Sequence, residues 1–308
     1  MTEADPKNAP ERVAIVGLGL LGSSLARAIA AHLPDVIVNG YDADAGVHAR
    51  CAALGLCNRL HETPAAAVAD ADLVLLCVPV GAMGDAARAI APALSPDAVI
   101  SDVGSSKASV LAQLQAALPL HDVIPAHPVA GTEKSGPEAG FASLFHQRWC
   151  ILTPPAAARP AAVALVGDFW RALGAHVEHM DAAHHDMVLA VTSHLPHLIA
   201  YTIVGTASDL EQVSEGEVIK YSAGGFRDFT RIAASDPIMW RDVFLHNRDA
   251  VLTMLQRFTE DLTALQRAIR VGDGDMLFDH FTRTRAIRQS IIQEGQDDAA
   301  PDFGRRHD

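Results

Sequence analysis

The chain has 308 residues, of which 49% are hydrophobic and 20% are charged, and its formal net charge is −13. This length predicts two domains, and the composition is typical of globular proteins and excludes a disordered chain. The acidic balance repels a phosphate backbone, so we expect no nucleic-acid partner.

Three features bear on localisation. The apolar run from Leu73 to Val80 falls short of the roughly twenty residues that cross a bilayer. Residues 1–10 are polar and lack the apolar core of a signal peptide. The four cysteines form no CxxC pair, which fits reduced thiols. We therefore expect a cytoplasmic protein that binds no membrane, with flexible tails over 1–10 and 296–308.

The first part of the chain alternates strand and helix patterns. Short β-branched runs predict strands at 13–16, 36–41, 73–78, 99–103, 123–126, 149–152 and 175–179, and a helix is predicted over 22–32. The runs lack polar alternation, as expected of a parallel sheet that is covered on both faces. We predict an α/β Rossmann-type dinucleotide-binding domain over residues 11–180.

From Asp181 onward the pattern becomes helical. Amphipathic periodicity extends over about 184–210, 236–270 and 273–294. Ser235-Asp236-Pro237 is typical of a helix start, with a capping side chain followed by proline. We predict an all-helical substrate and dimerisation domain over residues 181–295.

A glycine motif follows the first predicted strand. Gly17 to Gly22 fits GxGxxG and opens a helix, so its backbone can approach a pyrophosphate at the helix N-terminus. We assign cofactor binding to Gly17, Gly19, Leu20, Leu21 and Gly22. Asp42 ends the second strand, where a carboxylate accepts hydrogen bonds from the adenosine ribose and repels a 2′-phosphate. The sequence therefore favours NAD over NADP as cofactor.

Three later strands end at chemically informative residues. Pro79 and Val80 follow one of them, and Asp102 and Val103 end the next, so we assign all four to the cofactor site. If the sheet is parallel, its strand ends also bring Ser105, Lys107 and His127 close to the nicotinamide. Histidine titrates near neutral pH, so His127 is a candidate general base for alcohol oxidation. Ser105 is placed to orient the imidazole or the substrate hydroxyl.

Two clusters in the helical half carry polar chemistry. The stretch 193–197 (SHLPH) places His194 and His197 on one helical face, and Pro196 frees a carbonyl and bends the axis. Because no third ligand has suitable spacing, we predict polar substrate contact or a hydrogen-bonded core histidine and no metal site. The adjacent His184 and His185 are expected to point in different directions.

The second cluster, 224–231 (GGFRDFTR), predicts a turn that presents guanidinium groups to a substrate carboxylate. The pattern alone leaves open whether Arg227 or Arg231 grips it.

Together these motifs resemble a known family. GLGLLG, DVGSSK, HPVAGTEKSG, SHLPH and GGFRDFTRIA occur in this order, and the series resembles prephenate/arogenate (cyclohexadienyl) dehydrogenases over about residues 13–240. The resemblance implies NAD-dependent oxidative decarboxylation of prephenate, or also of arogenate, in tyrosine biosynthesis. It also implies a homodimer formed through the helical domain.

The resemblance implies individual roles as well. The family pattern has His127 bind the ring 4-hydroxyl and assist hydride transfer, Ser105 support that histidine, and Arg231 bind a substrate carboxylate. The remaining substrate-binding positions that it implies are His197, Gly224, Trp240, Thr132 and Glu133.

Alternative functions remain at this point. A β-hydroxyacid dehydrogenase has the same domain plan but relies on a helical lysine, whereas residues 184–200 contain histidines and no lysine. A non-catalytic NAD-binding sensor would not need His127, Ser105 and Arg231 together. Prephenate is favoured over arogenate. Glu133 would suit the ammonium group of arogenate, whereas the positive charge of Lys134 beside it would repel that group.

Overall fold

A computed structural model describes residues 9–132, 134–211 and 224–293. The strands are β1 (Arg12–Val16), β2 (Ile37–Tyr41), β3 (Arg59–Leu60), β4 (Leu73–Leu76), β5 (Val99–Asp102), β6 (Asp122–Val123), β7 (Ala126–Pro128), β8 (Trp149–Leu152) and β9 (His176–His179). The helices are α1 (Leu20–His32), α2 (Ala45–Leu54), α3 (Pro64–Val68), α4 (Met83–Ile90), α5 (Ala108–Ala117), α6 (Pro160–Ala172), α7 (Ala182–Leu189), α8 (Leu195–Glu211), α9 (Gly224–Thr230), α10 (Pro237–His246), α11 (Arg248–Val271) and α12 (Gly274–Gln293).

The first six strands form one parallel sheet in the order β3-β2-β1-β4-β5-β6. Strand β4 explains why the sequence lacks polar alternation. Leu73 and Leu75 belong to the apolar cluster on one face, and Val74 and Leu76 to the cluster on the other. The predicted Rossmann-type fold is confirmed, and its ligand crevice lies where the strand order reverses, at the carboxyl ends of β1 and β4.

The predicted strand 123–126 is in fact two strands in two sheets. Pro125 separates β6 from β7, and proline has no N–H with which to continue a ladder. Strand β7 pairs antiparallel with β8, and β8 pairs parallel with β9. His127 therefore lies within β7 of the second sheet, and the expectation that it ends a strand of the parallel sheet was wrong.

The helical half follows the predicted periodicity with two interruptions. A π-helical turn over Ala190–His194 separates α7 from α8, just before Pro196, which cannot donate the regular backbone hydrogen bond. The predicted helix 236–270 is broken at Asn247 between α10 and α11. Residues up to Leu252 form one compact unit and those from Thr253 form another. The predicted domain boundary at residues 180/181 stays a prediction, and the predicted tails 1–10 and 296–308 lie outside the described residues except for 9 and 10.

Among the described helices, the continuous stretch Ala182–Leu210 is long and apolar enough to cross a bilayer by length and composition. The sequence-based search for apolar runs missed this stretch because its apolar residues are interspersed with histidines. Within it, His185 and Asp186 are buried and hydrogen-bonded to other parts of the protein. These contacts hold the first part of the stretch against other parts of the protein, whereas 28% of its most apolar segment is buried.

Candidate active site

The glycine loop joins β1 to α1 through a turn that side chains would block. Gly17 has φ +96°, and a Cβ on it would lie 2.6 Å from the carbonyl oxygen of Cys77. A Cβ on Gly22 would lie 1.9 Å from the carbonyl oxygen of Gly17, whereas a Cβ on Gly19 would meet nothing within 4 Å. Gly19 caps α1 without a side-chain hydrogen bond. The N–H groups of the first turn therefore remain available to an anionic ligand.

Asp42 organises the same loop from the end of β2. Its Oδ2 accepts a hydrogen bond from the N–H of Leu18 at 2.7 Å, and its Oδ1 accepts one from the N–H of Asp44 at 2.9 Å. The carboxylate predicted to read the ribose is thus held rigidly beside the loop. Its negative charge at this position disfavours a 2′-phosphate.

The end of β5 serves the protein interior. Asp102 and Lys107 are both fully buried, and the Lys107 ammonium donates a hydrogen bond to Asp102 Oδ2. Asp102 Oδ2 also accepts from the N–H of Gly104. The other three predicted cofactor residues at the strand ends, Pro79, Val80 and Val103, have apolar side chains, and their contact with the cofactor stays a prediction. The Asp102 carboxylate is fully buried and binds Lys107 through Oδ2, and the assignment of Asp102 to the cofactor site stays a prediction.

His127 is the end of a hydrogen-bonded chain. Its Nδ1 lies 2.8 Å from Nε2 of His185, whose Nδ1 lies 2.8 Å from Oδ1 of Asp186. The Asp186 carboxylate also accepts from the N–H groups of Lys107 at 2.7 Å and Ala108 at 2.9 Å, at the start of α5. Lys107 in turn donates from Nζ to the carbonyl oxygen of Ala126 at 2.7 Å, which anchors the residue before His127.

Electrostatics keep His127 neutral. Burial lowers the pKa of His127 well below its usual value, and the neighbouring His185 and Lys107 lower it further. A neutral histidine that donates from Nδ1 carries a lone pair on Nε2, which is the form that a general base requires. His185, rather than Ser105, holds the imidazole among the hydrogen bonds that the structure describes. Ser105 is half-buried in the turn before Lys107.

Asn247 links the hydrogen bonds of His127, His185 and Asp186 to His194. Its Nδ2 donates to the carbonyl oxygen of Asp186 at 2.8 Å and to Nδ1 of His194 at 3.0 Å. His194 therefore carries its proton on Nε2, which is buried without a partner in the described part of the protein. Burial lowers the pKa of His194 to about 4, so this ring is also neutral.

His197 is fixed in both position and tautomer. Its Nδ1 donates to the carbonyl oxygen of Ser193 at 2.8 Å, and its ring stacks on Trp240 with centroids 3.6 Å apart. Burial lowers the pKa of His197, and the positive charge of Arg231 lowers it as well. Arg231 thus lies within electrostatic range of His197.

The arginine cluster is helical, which corrects the predicted turn. Residues 224–230 form α9, and Arg231 begins a 3₁₀ turn over Arg231–Ala234. The two glycines stand at the start of α9 and the following residues continue the helix. Both Arg227 and Arg231 are exposed.

The loop after β7 is only partly described. Thr132 is exposed, and its Oγ1 accepts a hydrogen bond from the N–H of Lys134 at 3.2 Å. Glu133 lies outside the described residues. No group of three or more potential metal ligands occurs in the described ranges.

Sequence reasoning missed His185 and Asp186 as site residues. The sequence predicted only that His184 and His185 point in different directions. Nothing in the spacing of His185 connects it with His127, which lies 58 residues earlier. The available signal was the buried charge itself, since an aspartate within an apolar helix requires partners.

Two family models match the chain. A model described as the nucleotide-binding domain of prephenate dehydrogenase matches residues 25–179, and one described as its dimerization domain matches residues 181–283. The glycine motif precedes the first matched residue.

Three individual proteins are similar to the chain over most of its length. A cyclohexadienyl dehydrogenase of Zymomonas mobilis is 49% identical over 281 residues, which cover 91% of this chain and 96% of that protein. A prephenate dehydrogenase of Bacillus subtilis is 30% identical over 91% of this chain and 76% of its own length. The crystal structure of prephenate dehydrogenase from A. aeolicus, in complex with hydroxyphenyl propionate and NAD⁺, superimposes with a TM-score of 0.86 at 34% identity. That similarity covers 91% of this chain and 98% of the A. aeolicus chain.

Proposed function

The chain belongs to the prephenate dehydrogenase family, and we propose that it oxidises prephenate with NAD⁺, releasing carbon dioxide and 4-hydroxyphenylpyruvate in tyrosine biosynthesis. The observation that carries this proposal is His127, which is buried, neutral and fixed through Nδ1 so that its Nε2 can accept a proton. Arogenate is a second candidate substrate, because the relative at 49% identity is named a cyclohexadienyl dehydrogenase.

NAD⁺ fits the glycine loop. The open space at Gly19 and the uncapped start of α1 suit a pyrophosphate, which Gly17, Leu20, Leu21 and Gly22 would hold together with Gly19. Asp42 would bind the adenosine ribose, and Pro79, Val80 and Val103 would line the nicotinamide side of the crevice. When bound, NAD⁺ supplies the hydride acceptor.

His127 supplies the proton acceptor. As the hydride leaves the ring carbon that carries the 4-hydroxyl, the O–H bond breaks and its proton goes to Nε2 of His127. The bond between the ring carbon and its carboxylate carbon then breaks. The electron pair of that bond completes the aromatic ring as carbon dioxide leaves. The proton returns from His127 to the oxygen, so the reaction releases no net proton. Ser105 would contribute a hydrogen bond to the same oxygen.

The substrate's carboxylates need a cationic contact in this acidic protein. We assign that contact to Arg231, because its charge acts on His197 in the same region. Arg227, in the preceding helix α9, is the alternative. His197, with an unprotonated Nε2, and Trp240 would form one wall of the substrate pocket, and Gly224, Thr132 and Glu133 complete the set of substrate-binding residues that we propose.

We also propose the two-domain arrangement and a homodimer in the cytoplasm. Residues 11–180 would bind NAD and residues 181–295 would dimerise, as the name of the matching C-terminal family model suggests. Large apolar side chains on α11 and α12 support this, because they are 52–69% exposed in the single chain: Leu262, Ile269, Phe278, Phe281 and Ile287.

The test is NADH formation, followed by absorbance, with prephenate and with arogenate, each with NAD⁺ and with NADP⁺. We expect turnover with prephenate and NAD⁺, and a His127→Asn variant should lose it while still binding NAD⁺. His121→Asn is the matched control, since Nε2 of His121 lies 3.2 Å from the carbonyl oxygen of Ser95. Binding of NAD⁺ without turnover of either substrate would contradict the proposal and favour the non-catalytic sensor. Turnover of a β-hydroxyacid instead would favour the other alternative.

A further inference from the structure

With His127 and His185 both neutral, the hydrogen bonds behind His127 have one consistent set of directions. The Asp186 carboxylate accepts from two backbone N–H groups, so it is an acceptor, and His185 must donate to it from Nδ1. Nε2 of a neutral His185 then carries a lone pair, and the 2.8 Å contact requires that Nδ1 of His127 donate to it. Every proton in the chain from Asp186 to His127 is thereby assigned.

Resting on the function proposed above, we propose that His185 and Asp186 are positioning residues for the dehydrogenation: they hold His127 with Nε2 unprotonated, and His185 accepts the positive charge that develops when His127 takes the substrate proton. The roles differ, because His127 contacts the reacting hydroxyl whereas His185 and Asp186 act only through it.

The transfer is balanced along the chain. The substrate O–H bond breaks as the Nε2–H bond of His127 forms; the Nδ1–H bond of His127 breaks as the Nε2–H bond of His185 forms. His185 is then an imidazolium ion whose Nδ1–H faces the Asp186 carboxylate. The same steps run in reverse when carbon dioxide leaves and the proton returns to the ring oxygen.

The surroundings favour the charge on His185 over His127. The charged and titratable groups around the pair are Lys107, Asp102, Asp186 and His194. Burial lowers the pKa of both rings, but the hydrogen bond from His185 to Asp186 opposes the shift at His185. Both rings are buried, with His185 fully inaccessible, so water cannot stabilise the charge instead.

The other hydrogen bonds of Asp186 hold the row of His127, His185 and Asp186 rigidly. Asp186 binds the first N–H groups of α5, where the partial positive charge of the helix stabilises a carboxylate. Asn247 donates a hydrogen bond to the backbone carbonyl of Asp186. His185 therefore has a fixed orientation before any substrate binds, as a preorganised site requires.

A pair of substitutions at His185 separates this role from a structural one. In His185→Gln, the amide oxygen replaces Nε2 as an acceptor and preserves the tautomer of His127, but it cannot take the proton. His185→Leu provides neither function. We expect kcat to fall on the order of 10-fold in the glutamine variant and on the order of 10³-fold in the leucine variant, with the Kd for NAD⁺ unchanged.

Asp186→Asn tests the charge. It retains the size of the side chain but removes the anion that compensates His185, and we expect kcat to fall on the order of 10³-fold. His184→Gln, at the exposed neighbouring position, is the matched control and should leave kcat unchanged. Equal losses of kcat, NAD⁺ binding and Tm in the glutamine and leucine variants would overturn the proposal in favour of a structural role, as would wild-type kcat in all three.

Nitrogen-15 NMR of the histidine side chains provides a readout that does not depend on turnover. We expect both His127 and His185 to carry the proton on Nδ1 in the folded wild-type protein, with His127→Gln and His185→Gln used to assign the signals. A proton on Nε2 of His127 would overturn the proposal even in an active enzyme. If prephenate is not turned over but the tautomers are as expected, the proposed function fails. His185 and Asp186 then still hold His127 with Nε2 unprotonated, but the proton transfer to His185 is refuted.

Discussion

His197 lies flat on Trp240: the ring centroids are 3.6 Å apart and the ring planes differ by 24°. Trp240 is buried and belongs to α10, whereas His197 belongs to α8. The stack therefore fixes the plane of the imidazole, and the Ser193 carbonyl fixes its rotation. A histidine restrained in this way presents Nε2 to a ligand without losing further conformational entropy on binding.

Replacing Trp240 with leucine should weaken substrate binding more than cofactor binding. The leucine cannot stack on His197, so the imidazole regains motion, and we expect KM for prephenate to rise about 10-fold, equivalent to about 1.4 kcal/mol. Steady-state kinetics and NAD⁺ titration measure the two effects. Trp149→Leu is the control, because Trp149 is 39% exposed and contacts His176 instead. Equal weakening of NAD⁺ and prephenate binding would argue against the assignment of the stack to the substrate pocket.

Alanine substitutions at Gly22 and Gly19 should have different consequences. The Cβ of Gly22→Ala would overlap the carbonyl oxygen of Gly17 at 1.9 Å, so this variant should have a lower Tm. Gly19→Ala has space and should keep the wild-type Tm, but its methyl group would stand where the pyrophosphate approaches the backbone. We expect at least a roughly 10-fold higher Kd for NAD⁺ in Gly19→Ala. Thermal unfolding and fluorescence titration test both, and unchanged NAD⁺ affinity in Gly19→Ala would show that the cofactor lies elsewhere.

Removing Lys107 should be among the most destabilising single changes in the described sheet region. Lys107→Met leaves the Asp102 carboxylate buried without its cation, which costs about 3–5 kcal/mol. Urea unfolding should detect this loss, and the double variant Lys107→Met/Asp102→Leu should recover most of it because no charge stays buried. Arg88→Met, which breaks the exposed pair with Asp85, is the control and should change stability little. A single variant as stable as the wild type would contradict the role of this ion pair.

Acid should destabilise the protein through its buried neutral histidines. Burial lowers the pKa of His194 to about 4, so between about pH 6.5 and pH 4 the unfolded chain binds a proton that the folded protein does not. The stability that the neutral His194 contributes is therefore fully present above the pKa of histidine in the unfolded chain. It is lost as the pH falls from that value toward the pKa of His194 in the folded protein. The loss between about pH 7 and pH 5 should be roughly 2 kcal/mol.

Urea unfolding of wild type and His194→Gln at the two pH values checks this prediction. The glutamine oxygen accepts from Asn247 as Nδ1 of His194 does, so the variant should lose about that much less stability on acidification. His121→Gln provides the comparison at a histidine for which burial is incomplete. Identical pH dependence in His194→Gln and the wild type would refute a neutral, buried His194.

The sequence alone predicted those features that depend on neighbouring residues. The glycine loop, the buried strands of the first sheet and the helical second half follow from short-range sterics and hydrophobic periodicity. His127 was predicted to be a general base from the near-neutral pKa of histidine and from its expected position beside the crevice. The break between β6 and β7 could also have been predicted from Pro125, because proline has no N–H. The continuous apolar run over 123–126 favoured a single strand instead.

Tertiary structure decided which side chains act together. Nothing in the spacing of residues 127, 185 and 186 indicates that they share hydrogen bonds, since the partners are 58 residues apart and belong to a strand and a helix. Asp102 illustrates the same limit: it ends a strand as predicted, but its carboxylate binds the buried Lys107. Backbone periodicity specifies which elements form. The direction of a buried polar side chain depends instead on which partner satisfies it, and that partner is brought close only when the chain folds.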